Sequence, residues 1–323
     1  MKISRLLTSF LFAASYAFAI PVLFNGWGAG QFGLVAATPT VNLNGTITGN
    51  AGNIQDGVIA VNTGVDLALS GGTVTGAIDF ADAANKTTGG TCPADAGGTC
   101  RVNANSAFTG GTVTGVTVQS AFAVTNAINE WNTLYTGWGG VAGVTANLGS
   151  GGGAYTLCAG STTGCTTGNT TPVTQSVNGM TQTAYVFDIS STAGAVNHSV
   201  TIKGDGTALV ILIYNNATTL NINQAITLTG GITADQVLLD VTSAGGIITG
   251  TSFNYAGALA VKDTTETLQG TMSGRLYLGG VSTANVSSFN LTAPADLATP
   301  EPATELLIGG ALVLMVVLTR KRA

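Results

Sequence analysis

The sequence predicts a mainly β protein: an irregular β-solenoid with one flanking amphipathic α-helix, an N-terminal signal helix and a C-terminal membrane helix. Three observations carry this reading. Glycine supplies 46 of 323 residues and threonine about fifty, while proline supplies 7. Only 8% of residues are charged, about a third of the usual quarter. Short hydroxyl–apolar–hydroxyl segments bracketed by glycine recur along the chain. The same numbers exclude other classes. A hydrophobic fraction of 45% argues against charge-driven disorder. Glycine has no period of three, so the chain is not collagen. Ten basic against fifteen acidic residues give −5, which argues against nucleic acid as a partner.

Residues 1–19 read as a secretory signal. Lys2 and Arg5 form the positive start, and Leu6 to Phe18 is mostly apolar. Ala17-Phe18-Ala19 presents the small-x-small pattern that signal peptidase accepts, so cleavage is expected after Ala19. The apolar stretch is short for a permanent membrane span, which needs about 20 residues.

The body, 20–292, opens with short strands. Gly45-Thr46-Ile47-Thr48-Gly49 is followed by Gly71-Gly72-Thr73-Val74-Thr75-Gly76, and Gly110-Gly111-Thr112-Val113-Thr114-Gly115 repeats the latter letter for letter. Gly270-Thr271-Met272-Ser273-Gly274 is a looser copy. A period of two puts Ile47, Val74, Val113 and Met272 on one face and the hydroxyls on the other. Flanking glycines allow tight corners. Strands of this kind, recurring without helices, suggest stacked coils. A β-sandwich is the rival, but the strands are short and adjacent Gly pairs are many.

At about 120–138 the pattern changes. Phe122, Val124, Ala127, Ile128, Trp131, Leu134, Tyr135 and Trp138 recur at helical spacing. Ser120 is a candidate cap, and Gly139-Gly140 ends the run. Trp131 is expected to be core rather than a binding aromatic. Strands then resume at Tyr185–Ile189, Val200–Ile202, Ala208–Tyr214, Leu220–Leu228, Val237–Val241, Ile247–Ile248, Ala258–Val261 and Arg275–Leu278. The unalternating run Ala208–Tyr214 is expected to be buried on both faces, under the helix.

This order, with the run Leu228-Thr229-Gly230-Gly231-Ile232-Thr233-Ala234-Asp235-Gln236-Val237-Leu238-Leu239-Asp240-Val241 and the segment Gly270–Gly280, resembles secreted proteins of the ice-binding-like, adhesin-type β-solenoid group. Where that group has an Ile-Leu-Ala-Pro strand, this chain has Ala258-Leu259-Ala260-Val261-Lys262. The resemblance implies a right-handed solenoid with a flanking helix and a surface or matrix role without catalysis.

Residues 293–299 read as a linker. Pro300-Glu301-Pro302 is followed by an apolar segment, 303–319, and by Arg320-Lys321-Arg322. Physically this is a short membrane helix with a basic cytoplasmic stop. Its apolar core, Leu306–Thr319, spans only about 21 Å at 1.5 Å per residue, against roughly 30 Å of hydrocarbon, so it suits a temporary anchor. Together these parts resemble the PEP-CTERM sorting signal, with Glu305 where that family usually has an apolar residue. The resemblance implies cleavage by an exosortase of a Gram-negative bacterium, transient residence in the inner membrane, and delivery to the cell surface or an exopolysaccharide matrix. Between Ile20 and Thr299 five basic and thirteen acidic residues leave −8. That disfavours an acidic polysaccharide held by ion pairs.

Four cysteines, Cys92, Cys100, Cys158 and Cys165, allow three pairings. The local one, 92–100 and 158–165, needs the least chain movement. Zinc is the alternative, but the two-residue Cys spacing is missing and His198 is far from any Cys. No cofactor is indicated. Catalytic candidates are sparse: His198 in an expected solvated turn, and the acid pairs Asp79/Asp82 and Asp235/Asp240, also expected in solvated turns. The hydroxyls Thr46, Thr48, Thr73, Thr75, Thr112 and Thr114 carry the sharper idea. Stacked coils would space them about 4.7 Å across strands and about 6.7 Å along them, a lattice able to meet ice or crystalline polysaccharide. The segments are not consecutive in the chain. The resulting expectation is a non-enzymatic exported protein, structural or adhesive within exopolysaccharide. Ice binding is the second reading and a polysaccharide-acting enzyme the third.

Overall fold

The computed structural model describes residues 23–24, 32–49, 57–87, 89–92, 99–149, 153–192, 194–242, 245–262 and 266–293. The expected signal sequence with Ala17 and Ala19, the expected sorting tripeptide Pro300-Glu301-Pro302, the expected 303–319 span and the basic end lie outside the described residues. Among the described residues no helix is long and apolar enough to cross a membrane.

Short strands stack in parallel because each exposes a thin apolar row that only a neighbouring coil can bury. Among the described residues twenty-three strands join by hydrogen bonding, and two more form a separate ribbon. One ladder runs through Val144–Thr145, Met180–Asp188, Leu209–Tyr214, Val237–Val241, Asn254–Val261 and the end of Glu266–Leu278. It continues through Leu34–Ala36, Gly57–Val61, Ala77–Phe80 and Thr117–Gln119. The mainly β solenoid expected from the sequence is therefore present. The first strand lies mid-stack, between the coil containing Leu276 and the coil containing Ile59. From there the chain climbs to one end, returns along the flank as a helix, and winds back from the other end to meet its own beginning.

The returning helix, α1, spans Ala121–Trp138. Its 18 residues are about 27 Å long. Six strands, from Ala77–Phe80 to Val237–Val241, are stacked over about 24 Å, so one helix covers that distance. Val124, Ala127, Ile128, Trp131, Leu134 and Trp138 are buried against the sheet, as the spacing predicts. Phe122 differs: it is 81% exposed, because two residues before Val124 it falls on the opposite, solvent-facing side of the helix. Ser120 stands at the cap position but makes no side-chain cap bond. Its hydroxyl engages Asp79 instead. Leu209–Tyr214 is buried at every position, with α1 on one side and the solenoid interior on the other. The expected strand 220–228 is broken into Leu220–Ile222 and Ala225–Thr229 by a corner.

Glycine permits the closest approach of coils. Gly72 has φ +79°, and a Cβ there would sit 1.9 Å from the Gly45 carbonyl oxygen. Gly274 meets Gly257 in the same way. Ala293, assigned to the linker by sequence, still belongs to the last coil: its N–H donates to the Thr48 carbonyl at 2.8 Å.

Both stack ends carry a disulfide. Cys92–Cys100 ties the antiparallel ribbon Ala84–Thr87/Thr99–Val102 beside the terminal strands Thr112–Val113 and Thr117–Gln119. Cys158–Cys165 links Tyr155–Ala159 to the loop leading into Thr167–Asn169 at the opposite end. The local pairing is the one formed, and it removes all four thiols as zinc ligands.

Candidate functional site

The solenoid carries three outer surfaces: one under α1, and two open. On one open surface the hydroxyl segments, remote in sequence, become neighbours. Thr46 aligns with Thr73 and Thr73 with Thr112; Thr48 aligns with Thr75. Thr114 follows next to Thr75, its N–H donating to the Val74 carbonyl at 2.9 Å. On the other side of Thr46–Thr48 lies Asn290–Thr292, and beyond it Thr271–Ser273 and Asn254–Ala256.

The result is two rows in register. The first is Asn254, Thr271, Asn290, Thr46, Thr73, Thr112; the second is Ala256, Ser273, Thr292, Thr48, Thr75, Thr114. They run about 24 Å across six strands, with about 6.7 Å between rows. The second row extends through Thr227, Thr201 and Thr156, where the Thr201 and Thr227 hydroxyls are hydrogen-bonded at 3.3 Å. Beneath the rows Tyr255, Met272, Leu291, Ile47, Val74 and Val113 form one buried file. Every row residue is exposed or half-buried, and none of the two rows is charged. Lys203 borders the extension.

All six threonines singled out by sequence thus share one surface. Asn290 and Thr292 were missed because no glycine brackets them. The signal was the alternation Asn290-Leu291-Thr292, polar–apolar–hydroxyl, which needs no corner glycine.

The acid pairs are dispersed and their expected solvated turns are corrected. Asp235 is ion-paired with Arg275, which is buried under α1. Asp240 is fully buried. Burial raises the Asp240 carboxyl well above the usual carboxylate range, with Lys262 opposing the shift. Asp79 lies under the other end of α1. Burial raises its carboxyl to about 6, against the lowering effect of the Ser120 hydroxyl. The contrast follows burial: Asp79 is only partly buried, whereas Asp240 is completely enclosed. His198 is half-buried rather than solvated, and its Nε2 is enclosed without a hydrogen-bond partner. Among the described residues no group of three acidic, His or Cys side chains is placed to hold a metal ion.

A second interior site joins α1 to the sheet. Leu23 and Phe24, just past the expected signal cleavage, are buried there. Leu23 N–H donates to the Asp235 carbonyl at 2.9 Å, and Gln182 Nε2 donates to the Leu23 carbonyl at 3.2 Å. Trp138 Nε1 in turn donates to Gln182 Oε1 at 3.1 Å. Phe24 packs 4.7 Å from Trp131, which stacks on Tyr277 at 5.4 Å. Trp131 is therefore core, as expected.

No protein-family model matches the chain, and no curated protein matches it. Among solved structures the chain is similar to an ice-binding protein (LeIBP) from Arctic yeast, with 16% identity, a TM-score of 0.45, and coverage of 85% of this chain and 95% of that one. It is also similar to an ice-binding protein from the Antarctic ascomycete Antarctomyces psychrotrophicus, at 16% identity and TM-score 0.45, covering 83% and 96% of the two chains. A DUF3494 domain of a Shewanella frigidimarina ice-binding protein aligns at 12% identity and TM-score 0.43, covering 84% and 97%.

Proposed function

We propose that the protein binds an ordered, repeating surface, ice above all, through its two hydroxyl rows. The observation that carries this reading is the register: Thr46, Thr73 and Thr112 in one row, Thr48, Thr75 and Thr114 in the other, continued by Asn290/Thr292 and Thr271/Ser273. A single hydroxyl holds water weakly. A rigid array presents many at once, and the ordering entropy was spent on folding. Threonine adds a methyl beside each hydroxyl, and the absence of charge in the two rows avoids strongly bound, disordering hydration.

Replacing Thr73, Thr75, Thr112 and Thr114 by Lys is expected to abolish inhibition of ice recrystallisation while leaving the circular dichroism spectrum unchanged. Full ice activity in the folded variant, or none in the unaltered protein, overturns the reading.

The tail supports a second, compatible reading. Pro300-Glu301-Pro302, the apolar 303–319 segment and Arg320-Lys321-Arg322 suit export, a pause in the inner membrane, exosortase cleavage, and release to the cell surface or matrix. There the same rows would meet neutral crystalline polysaccharide. Retention on the host's exopolysaccharide without any ice activity would favour this structural or adhesive role. Two formed disulfides accord with an oxidising export route.

A further inference from the structure

The second open surface of the solenoid carries an outward row in register across eight strands. Its middle runs Ala68, Asn42, Asn285, Thr267, Ile248; Ala107 precedes it, and Asn221 and Ala195 follow. Each of the middle five is exposed or half-buried between two buried neighbours, so all five side chains point outward. Asn42 Nδ2 donates to Asn285 Oδ1 at 2.9 Å, near the centre of the row. Four large apolar residues are exposed among the described residues. Two of them are here: Ile248 on the row, 38% exposed, and Val281 at the rim of the surface, 76% exposed, two residues before its strand opens at Thr283. The body carries −8, yet among the described residues the strands of this surface direct one charge outward, Asp66, beside Thr40.

We propose that this surface binds a second copy of itself, in a symmetric and reversible dimer. The row is complementary to itself when turned over about an axis lying along Thr283–Thr292 at Asn285. Asn285 then meets Asn285, Asn42 meets Thr267, and Ala68 meets Ile248, so the small residue receives the large one twice. Ala107 meets Asn221, and only Ala195 overhangs. Val281, in the same coil as the axis, meets its own copy. Shifting the axis half a strand toward Thr267 would set Ile248 against the Asn42 amide. Shifting it the other way would leave Asn221 without cover as well.

The seven overlapping strands, each with five residues on this surface, give about 29 by 13 Å, or roughly 400 Å² per copy before side-chain relief. Standard interfaces bury about 800 Å² per partner, so the contact is of the weak, reversible class. The two copies of Asp66 lie four strands apart, about 19 Å, beyond the screening length of about 8–10 Å at ordinary salt. No like charges therefore meet at the contact. Two chains joined here leave both hydroxyl surfaces free, so a dimer presents two binding surfaces where a monomer presents one. The contact between chains is independent of what the hydroxyl rows bind.

Sedimentation equilibrium of the purified full-length chain, in mild detergent that keeps its apolar ends apart, tests this. The mass is expected to rise from one chain to two with a dissociation constant on the order of 10–100 µM. Ala68→Lys and Ile248→Glu each bury an unpaired charge and are expected to weaken association about tenfold or more, with the circular dichroism spectrum unchanged. An equimolar mixture of the two variants is expected to associate again, because the new charges face each other across the axis. Asn285→Cys is expected to form an interchain disulfide under mild oxidation, and Ala195→Cys, beyond the overlap, to form none. A chain that stays single up to about 500 µM overturns the dimer. So does association that neither Ala68→Lys nor Ile248→Glu weakens, and a mixture of the two that stays apart overturns the register.

Discussion

Asp79 turns the burial of one carboxyl into a pH dependence with a definite sign. An unfolded chain releases that proton near 3.8, whereas the fold holds it to about 6. The fold therefore binds more protons in this window, and the contribution is complete below about 4 and lost as pH rises through about 6. Asp79→Asn, a neutral isostere, is expected to raise Tm at neutral pH, to leave it unchanged near pH 4, and to flatten the slope between. Melting curves across that range check this; a variant with the slope of the unaltered protein would refute it. None of this was legible in the sequence. Asp79 and Asp82 look like an ordinary solvated turn, and only the helix arriving some forty residues later buries the first of them. Ser120 looked like a cap for the same reason, since local spacing says nothing of the carboxylate beneath it.

At the scale of elements, α1 was readable from its three- and four-residue spacing, and the run 209–214 from its lack of alternation. What the pattern did not announce is the segment that fastens them. Leu23 and Phe24 sit close after the expected signal sequence, where an unstructured start is the default. Yet Phe24 is wedged between Trp131 and the guanidinium of Arg275, 5.3 Å from its ring. Phe24→Ala is expected to cost about 3–5 kcal/mol. It should also raise amide exchange in α1 more than in the open hydroxyl surface. Equal changes in both would mean that the segment fills space without fastening the helix.

Across the whole molecule, the hydroxyl segments were legible as strands but not as one surface. Their adjacency depends on the chain returning to its starting point, and no local signal encodes a return over that distance. The disulfides show the same division: the pairing followed from proximity in sequence, the placement at the two ends did not. Each closes a small loop, worth about 2.5 kcal/mol in the loop-entropy picture, at the coils with only one neighbour. Reduction is expected to speed amide exchange first at Thr112–Gln119 and Tyr155–Asn169, with the middle coils last. Uniform exchange along the stack would show that the bonds act globally. The mid-stack position of the opening strands has a consequence for the order of assembly. Asn42 bonds Asn285 at 2.9 Å across 243 positions, so the first coil keeps an open edge until the last has been made. An ordinary solenoid grows coil by coil. This one is a clasp, whose early half waits for its late half. Closing so long a loop makes completion slow, and it leaves the finished stack with its first and last described strands at the waist and a disulfide-bonded coil at each pole.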